Sequence, residues 1–301
     1  MHTLNLLIIP IPMESQENQY HWPKAEAIYP DRPGRSYALK RLRYRLRSFL
    51  HRGSIAHFEQ FINQHPFLVT LLNEHADYSY PLVYRFLDKR FNRKQRFQAI
   101  CDNLLFLPKK LTALSAPIYK TPLSFGEVIP DFEMTLSMTT HQPMEGYWVL
   151  ELWHKPRNEL VYLLTFAKLG EALLISVVQG PNFEGSKEMV KQLTKTCHGL
   201  RPAYLMVEMM KALTKALGFK TLLGIPQKYQ NKSRFIQSSH YVVDYDAIFA
   251  ESGGQLKDYW ELPLEIDRNL DEVPSKKRSM YRKRYAMLDD LAKVIEDKLG
   301  L

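Results

Sequence analysis

The spacing of hydrophobic residues changes along this chain, and the change predicts a helical first part followed by a sheet. Beyond residue 35, Leu and Phe recur at three- and four-residue steps, which is the period of amphipathic helices. Pro66 and Pro81 mark expected helix starts, because proline suits the first position of a helix. Five prolines before residue 35 predict an irregular N-terminal segment. We therefore expect an irregular segment over 1–35 and a helical region over 36–125.

Four short runs of residues that favour strands follow the helical region. They are FEMTLSM from Phe132, YWVLELW from Tyr147, LVYLLTFAKL from Leu160 and ALLISVVQG from Ala172. The short connections between the runs predict hairpins in an antiparallel meander.

A period of 3.6 residues returns after these strands. It predicts helices from Ser186 to Thr196 and from Pro202 to Leu217, then a strand from Phe219 and a terminal helix from Ser275 to Leu299. The expected fold class is α+β. A helical N-terminal region precedes a mixed, mostly antiparallel sheet flanked by helices, in a domain over 126–301 that ends in a basic helix.

The formal net charge of +9 is concentrated in two of the predicted helices. Residues 31–52 carry seven Arg and one Lys against a single Asp, and residues 276–284 carry six cations and no acid. In the first segment, apolar residues at helical steps form one face, namely Leu39, Leu42, Leu46, Phe49 and Leu50. Either the cations form a solvated face that pairs with acids, or they bind a phosphate-rich ligand, a lipid headgroup or nucleic acid.

The segment HGLRP is the first candidate site for an anion. A helix beginning at Pro202 presents unpaired N–H groups and a partial positive charge, and Arg201 adds a guanidinium that can hold a phosphate. The alternative is a helix–helix turn in which His198 and Gly199 only end the preceding helix. Gln179 and Gly180 are a further ligand-binding candidate, because they end a predicted buried strand.

The start of the terminal helix is the other candidate ligand site. Its residues are Lys276, Lys277, Arg278, Tyr281 and Arg284, directly after Ser275 as a predicted N-cap. Cations at the positive end of a helix dipole cost roughly 0.3–1 kcal/mol each, so nearby acids or a bound anion must compensate them. The alternation of Tyr and Arg is also compatible with stacking on a nucleic-acid base.

Catalytic thiols, metals and membrane-spanning segments are not predicted. Cys101 and Cys197 lie far apart, which favours buried thiols in a reducing compartment, and the histidines match no metal-binding spacing. The apolar run from Leu4 to Ile11 follows no Lys or Arg, unlike a signal peptide, and charges interrupt every later apolar stretch. We expect a cytoplasmic protein, with peripheral contact at the inner membrane allowed.

The stretch HGLRPAYLMVEMMKALTKALGFKTLLGIP, which begins at His198, resembles the pyrophosphate-binding region of the GNAT acetyltransferases. The resemblance implies a GNAT-like core that binds acyl-CoA or another phosphorylated ligand. Arg201 and Pro202 replace the usual second glycine of the turn. Glu151, on a predicted central strand, is the candidate general base.

Three further motifs resemble the bacterial VirK/YbjX family. They are VVQG at 177–180, LTKTCHGLRPAYLM from Leu193 and PSKKRSMYRKRYAMLDDL from Pro274. The resemblance implies a Gram-negative protein linked to the cell envelope, virulence and tolerance of cationic antimicrobial peptides, without implying a reaction. Two hypotheses follow, an acyltransferase-like enzyme or a non-catalytic binding protein that docks on anionic lipid, nucleic acid or a protein partner. An open cleft between parallel strands beside Gly199 would favour the enzyme, and a filled one would favour the binding protein.

Overall fold

A computed structural model describes residues 19–139, 142–181, 183–231 and 244–300. The apolar run from Leu4 to Ile11 lies outside the described residues. Five helices form the first part of the described chain: α1 (Ala25–Ile28), α2 (Ala38–Leu50), α3 (Arg52–Asn63), α4 (Pro66–Glu74) and α5 (Arg93–Lys110).

Local sequence signals explain where some of these helices begin. Pro66 is the first residue of α4, as expected from its fixed φ. Asn92 and Gln95 form a capping box at the start of α5, each side chain accepting a hydrogen bond from the other residue's backbone N–H at 3.0 Å. Pro81 does not start a helix, because it lies inside the 3₁₀ segment Ala76–Val83, so that prediction is wrong.

Within the described residues, eight strands form one sheet in the order β1-β2-β3-β4-β5-β6-β8-β7. The strands are β1 (Leu123–Ile129), β2 (Phe132–Met138), β3 (Trp148–His154), β4 (Glu159–Leu169), β5 (Ala172–Gln179), β6 (Leu222–Gly224), β7 (Gln255–Leu256) and β8 (Trp260–Leu262). Neighbouring strands are antiparallel except for β5 and β6, which are parallel. The predicted α+β class with a mixed, mostly antiparallel sheet is confirmed.

Strand β1 was not predicted from the sequence. Its ladder with β2 shifts register between Ser124 and Gly126 and again between Glu127 and Ile129, so its residues do not alternate regularly. The sheet therefore begins at Leu123, inside the segment assigned to the helical region. The division of the chain into domains stays a prediction.

The remaining helices are α6 (Ser186–Thr196), α7 (Pro202–Ala216), α8 (Tyr245–Glu251) and α9 (Ser275–Leu299). Helices α6 and α7 connect the parallel strands β5 and β6. Helix α7 packs on β4 and β5 and against α9. Helix α5 packs on β4 as well.

The hydrophobic core is continuous between the helical region and the sheet. At their junction the buried Asn103 of α5 bonds the β4 backbone, donating to the Lys168 carbonyl at 2.9 Å and accepting from the Lys168 N–H at 2.7 Å. The carbonyl of Asn103 accepts a hydrogen bond from Trp148 Nε1 at 2.9 Å. One polar residue thus fixes α5 to two strands.

Candidate functional site

The turn between α6 and α7 contains the HGLRP segment. His198 and Gly199 have left-handed φ angles of +52° and +78°, and the Gly199 N–H donates to the Thr194 carbonyl at 2.8 Å, which ends α6. Arg201 is the exposed N-cap of α7, and Pro202 is its first residue. The geometry contains both features considered from the sequence, a tight helix–helix turn and an exposed arginine at a helix N-terminus.

The two predicted ligand segments meet at this turn. Arg284 of α9 donates two hydrogen bonds to the His198 carbonyl, from Nη2 at 2.9 Å and from Nε at 3.2 Å. Its guanidinium also lies over the Tyr281 ring, 4.3 Å from the centroid. A Cβ at position 199 would lie 3.2 Å from Arg284 Nη2, so glycine serves both the turn and this close approach. Arg284 fixes the turn to α9.

The other cations of α9 divide into bound and exposed groups. Arg278 donates to the backbone carbonyls of Val273 at 2.9 Å and Asp271 at 3.3 Å. Lys276 and Lys277 are exposed. The N-cap of α9 is Pro274, and Ser275 is its first helical residue, so the predicted serine cap is wrong. Backbone carbonyl oxygens therefore compensate the charge of Arg278, and the sequence alone does not predict such backbone partners.

Gln179 is the last residue of β5 and Gly180 follows it, whereas the parallel pairing of β5 with β6 ends four residues earlier. The last paired residues of the two strands are Ile175 and Gly224. Beyond them, the buried Gln230 side chain donates from Nε2 to the Ser176 carbonyl of β5 at 3.1 Å.

Two other features limit the catalytic hypotheses. Glu151 lies on β3, separated from β5 by β4, and its carboxylate accepts hydrogen bonds from Trp153 Nε1 at 3.2 Å and Thr135 Oγ1 at 3.4 Å. Cys197 is fully buried, and burial raises its pKa to about 12, which keeps it a thiol. Both cysteines are free and buried, as predicted.

Helix α2 faces the protein with its polar and aromatic side. The buried Tyr44 stacks on Trp22 at a centroid distance of 6.1 Å, and its hydroxyl donates to the Pro23 carbonyl at 2.9 Å. Ser48, one turn later, accepts a hydrogen bond from Trp22 Nε1 at 3.0 Å. These contacts fix the rotation of α2 about its axis.

The apolar residues of α2 consequently point away from the protein. We call them the α2 apolar face; they are Leu39, Leu42, Leu46, Phe49 and Leu50, with exposed fractions of 59%, 60%, 58%, 63% and 55%. The sequence identified this face, but not its orientation. One available signal was Tyr44, an aromatic residue in the middle of the arginine side.

Cations border the α2 apolar face, and α2 contains no acidic residue. At about 100° per residue, Arg43 and Arg45 lie on opposite borders of the face. Arg45 pairs with Glu26, and Arg41, nearer the protein, pairs with Asp31 at 2.7 Å. Arg43 is exposed and forms no ion pair within the described part of the chain. Pairing with acids therefore accounts for only some of the α2 cations.

Comparison with known proteins identifies the family. The family model described as "Protein of unknown function (DUF535)" matches residues 33–297. An uncharacterized protein of Haemophilus influenzae is 81% identical over 94% of this chain and 97% of its own length. A Mannheimia haemolytica protein named "Membrane protein LapB" is 65% identical over 72% of this chain and 96% of its own length. The uncharacterized protein YbjX of Escherichia coli is 24% identical over 86% of this chain and 83% of its own length.

No solved structure matches the chain significantly, so the GNAT resemblance stays a prediction. Among the helices that the structure describes, none is both long and apolar enough to cross a membrane. The match over 33–297 and the relatives support the VirK/YbjX resemblance. The chain belongs to the DUF535 family of proteins of unknown function, which includes YbjX and LapB.

Proposed function

We propose that this protein docks peripherally on an anionic lipid surface through the α2 apolar face and the cations beside it. The observation that carries the proposal is the orientation of α2, which presents five large apolar side chains outward. An apolar stripe bordered by Arg and Lys is the pattern of helices that lie in the membrane interface.

The expected energy is large enough for reversible attachment. Full burial of a Leu or Phe side chain is worth about 1.5–3 kcal/mol. Because more than half of each side chain of the α2 apolar face is exposed, insertion can gain about 1 kcal/mol or more from each. A Lys or Arg near an anionic surface adds about 1 kcal/mol. The sum is at least that of a single myristoyl chain, which binds membranes reversibly.

Two further observations support a membrane surface as the partner. The relative from Mannheimia haemolytica carries the name of a membrane protein, and the described helices of this chain include no membrane-spanning candidate. Surface attachment reconciles the two. It also fits the envelope context that the VirK/YbjX resemblance implies, with the cytoplasmic face of the inner membrane as the proposed location, since that leaflet is anionic.

Competing functions have less support from the geometry. The β5–α7–β6 order suits an acyltransferase-like enzyme for a phosphorylated or acylated ligand, yet Glu151, its candidate base, lies on β3 and is separated from β5 by β4. For nucleic acid, one face of the Tyr281 ring is already covered by Arg284. A protein partner on the α2 apolar face remains an outcome of the test.

Vesicle sedimentation tests the proposal. Wild-type protein should bind phosphatidylglycerol vesicles, bind pure phosphatidylcholine vesicles more weakly, and lose binding when Leu42 and Leu46 are both replaced by Ser. Sedimentation velocity without lipid tests the other occupant, a second copy of the chain. If the wild type is a dimer that the same substitutions convert to a monomer, the α2 apolar face is a protein interface and the proposal is wrong.

A further inference from the structure

Arginines from two helices meet beside the C-terminal end of α2. Arg47 lies one turn before His51, whose N–H donates to the Arg47 carbonyl at 3.0 Å. Arg93 and Arg96 lie three residues apart in the first turns of α5 and therefore share one side of that helix.

Tyr84 connects the two groups of arginines. The Arg47 guanidinium lies over the Tyr84 ring, 4.3 Å from its centroid, and Nη1 of Arg47 donates to the Tyr80 hydroxyl at 2.9 Å. From α5, Arg96 donates to the Tyr84 carbonyl at 3.3 Å and to the Leu82 carbonyl at 2.9 Å. Contacts with neutral groups thus hold two guanidinium groups on the same tyrosine. Arg85 is a third cation near it, 5.4 Å from the ring centroid.

Carboxylates do not compensate this cluster within the described residues. Arg47, Arg93 and Arg96 form no ion pair there, in contrast to Arg41 and Arg45 on the same α2. Arg96 is 8% exposed, so its positive charge is buried, whereas Arg93 is exposed to solvent. Clustered cations of which one is buried are costly unless an anion joins them.

The pKa of His51 reflects the positive charge of these arginines. Burial, followed by the charges of Arg96, Arg93 and Arg47, lowers the pKa of His51 to about 4. Its Nδ1 atom is buried and has no hydrogen-bond partner within the described part of the chain. An anion placed among these arginines would offset their repulsion of a protonated His51 and would accept a hydrogen bond from a ring N–H.

We propose that Arg47, Arg93 and Arg96, together with His51, bind the phosphate group of an anionic phospholipid. The proposal deepens the membrane-docking function and rests on it for the source of the phosphate. Arg47 follows Arg43 by four residues and precedes Leu50 by three, so it lies beside the border of the α2 apolar face. A lipid whose chains contact that face can place its phosphate between Arg47 and the exposed Arg93. Guanidinium groups suit this role, because they bind phosphate oxygens through paired hydrogen bonds.

The test follows the His51 ring by NMR from pH 3.5 to 8. Glycerol 1-phosphate in solution and phosphatidylglycerol in vesicles are the two phosphate probes, and phosphatidylcholine vesicles are the comparison. An anion beside the ring should raise the His51 pKa from about 4 toward the ordinary value near 6.5. A response only to phosphatidylglycerol identifies the lipid as the source, whereas a response only to glycerol phosphate identifies a soluble ester and contradicts the membrane as source.

Variants separate this site from the membrane-docking face. Arg93→Ala should weaken phosphate binding roughly ten- to hundredfold, since it removes charge-assisted hydrogen bonds from an exposed residue that does not build the core. Lys94→Ala is the matched control, because it removes a neighbouring exposed cation that points about 100° away on α5. Arg96→Ala would also remove hydrogen bonds to two backbone carbonyls, so a loss of binding in that variant would not isolate the phosphate contact.

The outcomes distinguish failure of the site from failure of membrane docking. If Leu42→Ser with Leu46→Ser abolishes vesicle binding while glycerol phosphate still raises the His51 pKa, the site is confirmed independently of the apolar face. An unchanged His51 pKa with both probes would overturn the site even if vesicles are bound. Equal losses in Arg93→Ala and Lys94→Ala would also overturn it, because they would indicate a diffuse field of charge.

Discussion

Replacing Leu42 and Leu46 by Ser should weaken binding to phosphatidylglycerol vesicles without destabilising the protein. The two side chains are 60% and 58% exposed, so a bilayer can bury roughly half or more of each. At about 1.5–3 kcal/mol for a fully buried Leu, each contributes about 1–2 kcal/mol to insertion. The double substitution should therefore lower the partition coefficient by a factor of between about 30 and several hundred.

The matched control for this prediction is Leu256→Ser. Leu256 lies on β7, is 51% exposed, and is an apolar residue outside the α2 apolar face. It should leave vesicle binding unchanged, and all variants should unfold in urea within about 0.5 kcal/mol of the wild type. Partition is measured by sedimentation over a range of lipid concentrations at fixed salt. Equal binding by the wild type and the double variant, or an equal loss in Leu256→Ser, would refute the reasoning.

Three further predictions concern stability, each measured by urea denaturation. Arg284→Met should lower the free energy of unfolding by about 1–3 kcal/mol, because it removes two charge-assisted hydrogen bonds to the His198 carbonyl. Arg282→Met, at an exposed position of the same helix, should lower it little. Equal losses would contradict the role of Arg284 in fixing the turn to α9. Asn103→Ala should cost about 2–4 kcal/mol, since it leaves buried backbone groups of β4 unpaired, and a loss below about 1 kcal/mol would contradict this account of the junction. Lowering the pH from 6.5 to 4 should destabilise the protein by roughly 1 kcal/mol through His51, after allowing for solvent screening, because the unfolded chain takes up a proton there that the folded chain does not. His51→Gln should lose this part of the pH dependence, and an unchanged slope would argue against a lowered pKa.

The sequence predicted the central elements of the fold closely. Helix α9 spans the predicted Ser275–Leu299, and strand β2 coincides with the FEMTLSM run. These elements have strong periodicity, and residues such as Pro202 and Gly218 mark the ends of α7 through their own backbone preferences. Strand β1 lacked that signal, because its bulges interrupt the alternation of side chains.

The candidate sites were less predictable, because their partners are distant in the sequence. Residue types placed Arg284 in a basic run, but its partner is a backbone carbonyl 86 residues away. Periodicity likewise defined both sides of α2 without showing which side meets the protein. That choice depends on Trp22 and its neighbours, which offer Tyr44 a stacked ring and hydrogen-bonding partners.

The depth of α2 in a bilayer is the most direct measurement of the central claim. Cys101 and Cys197 are buried, so a spin label will react selectively with a thiol introduced by Leu46→Cys, or by Leu256→Cys as the control. With phosphatidylglycerol vesicles, we expect the label at position 46 to gain access to oxygen and lose access to a water-soluble nickel complex, at a depth of about 5–10 Å. The label at position 256 should stay in water. A label at position 46 that remains equally accessible to the nickel complex with and without vesicles would contradict membrane docking through α2.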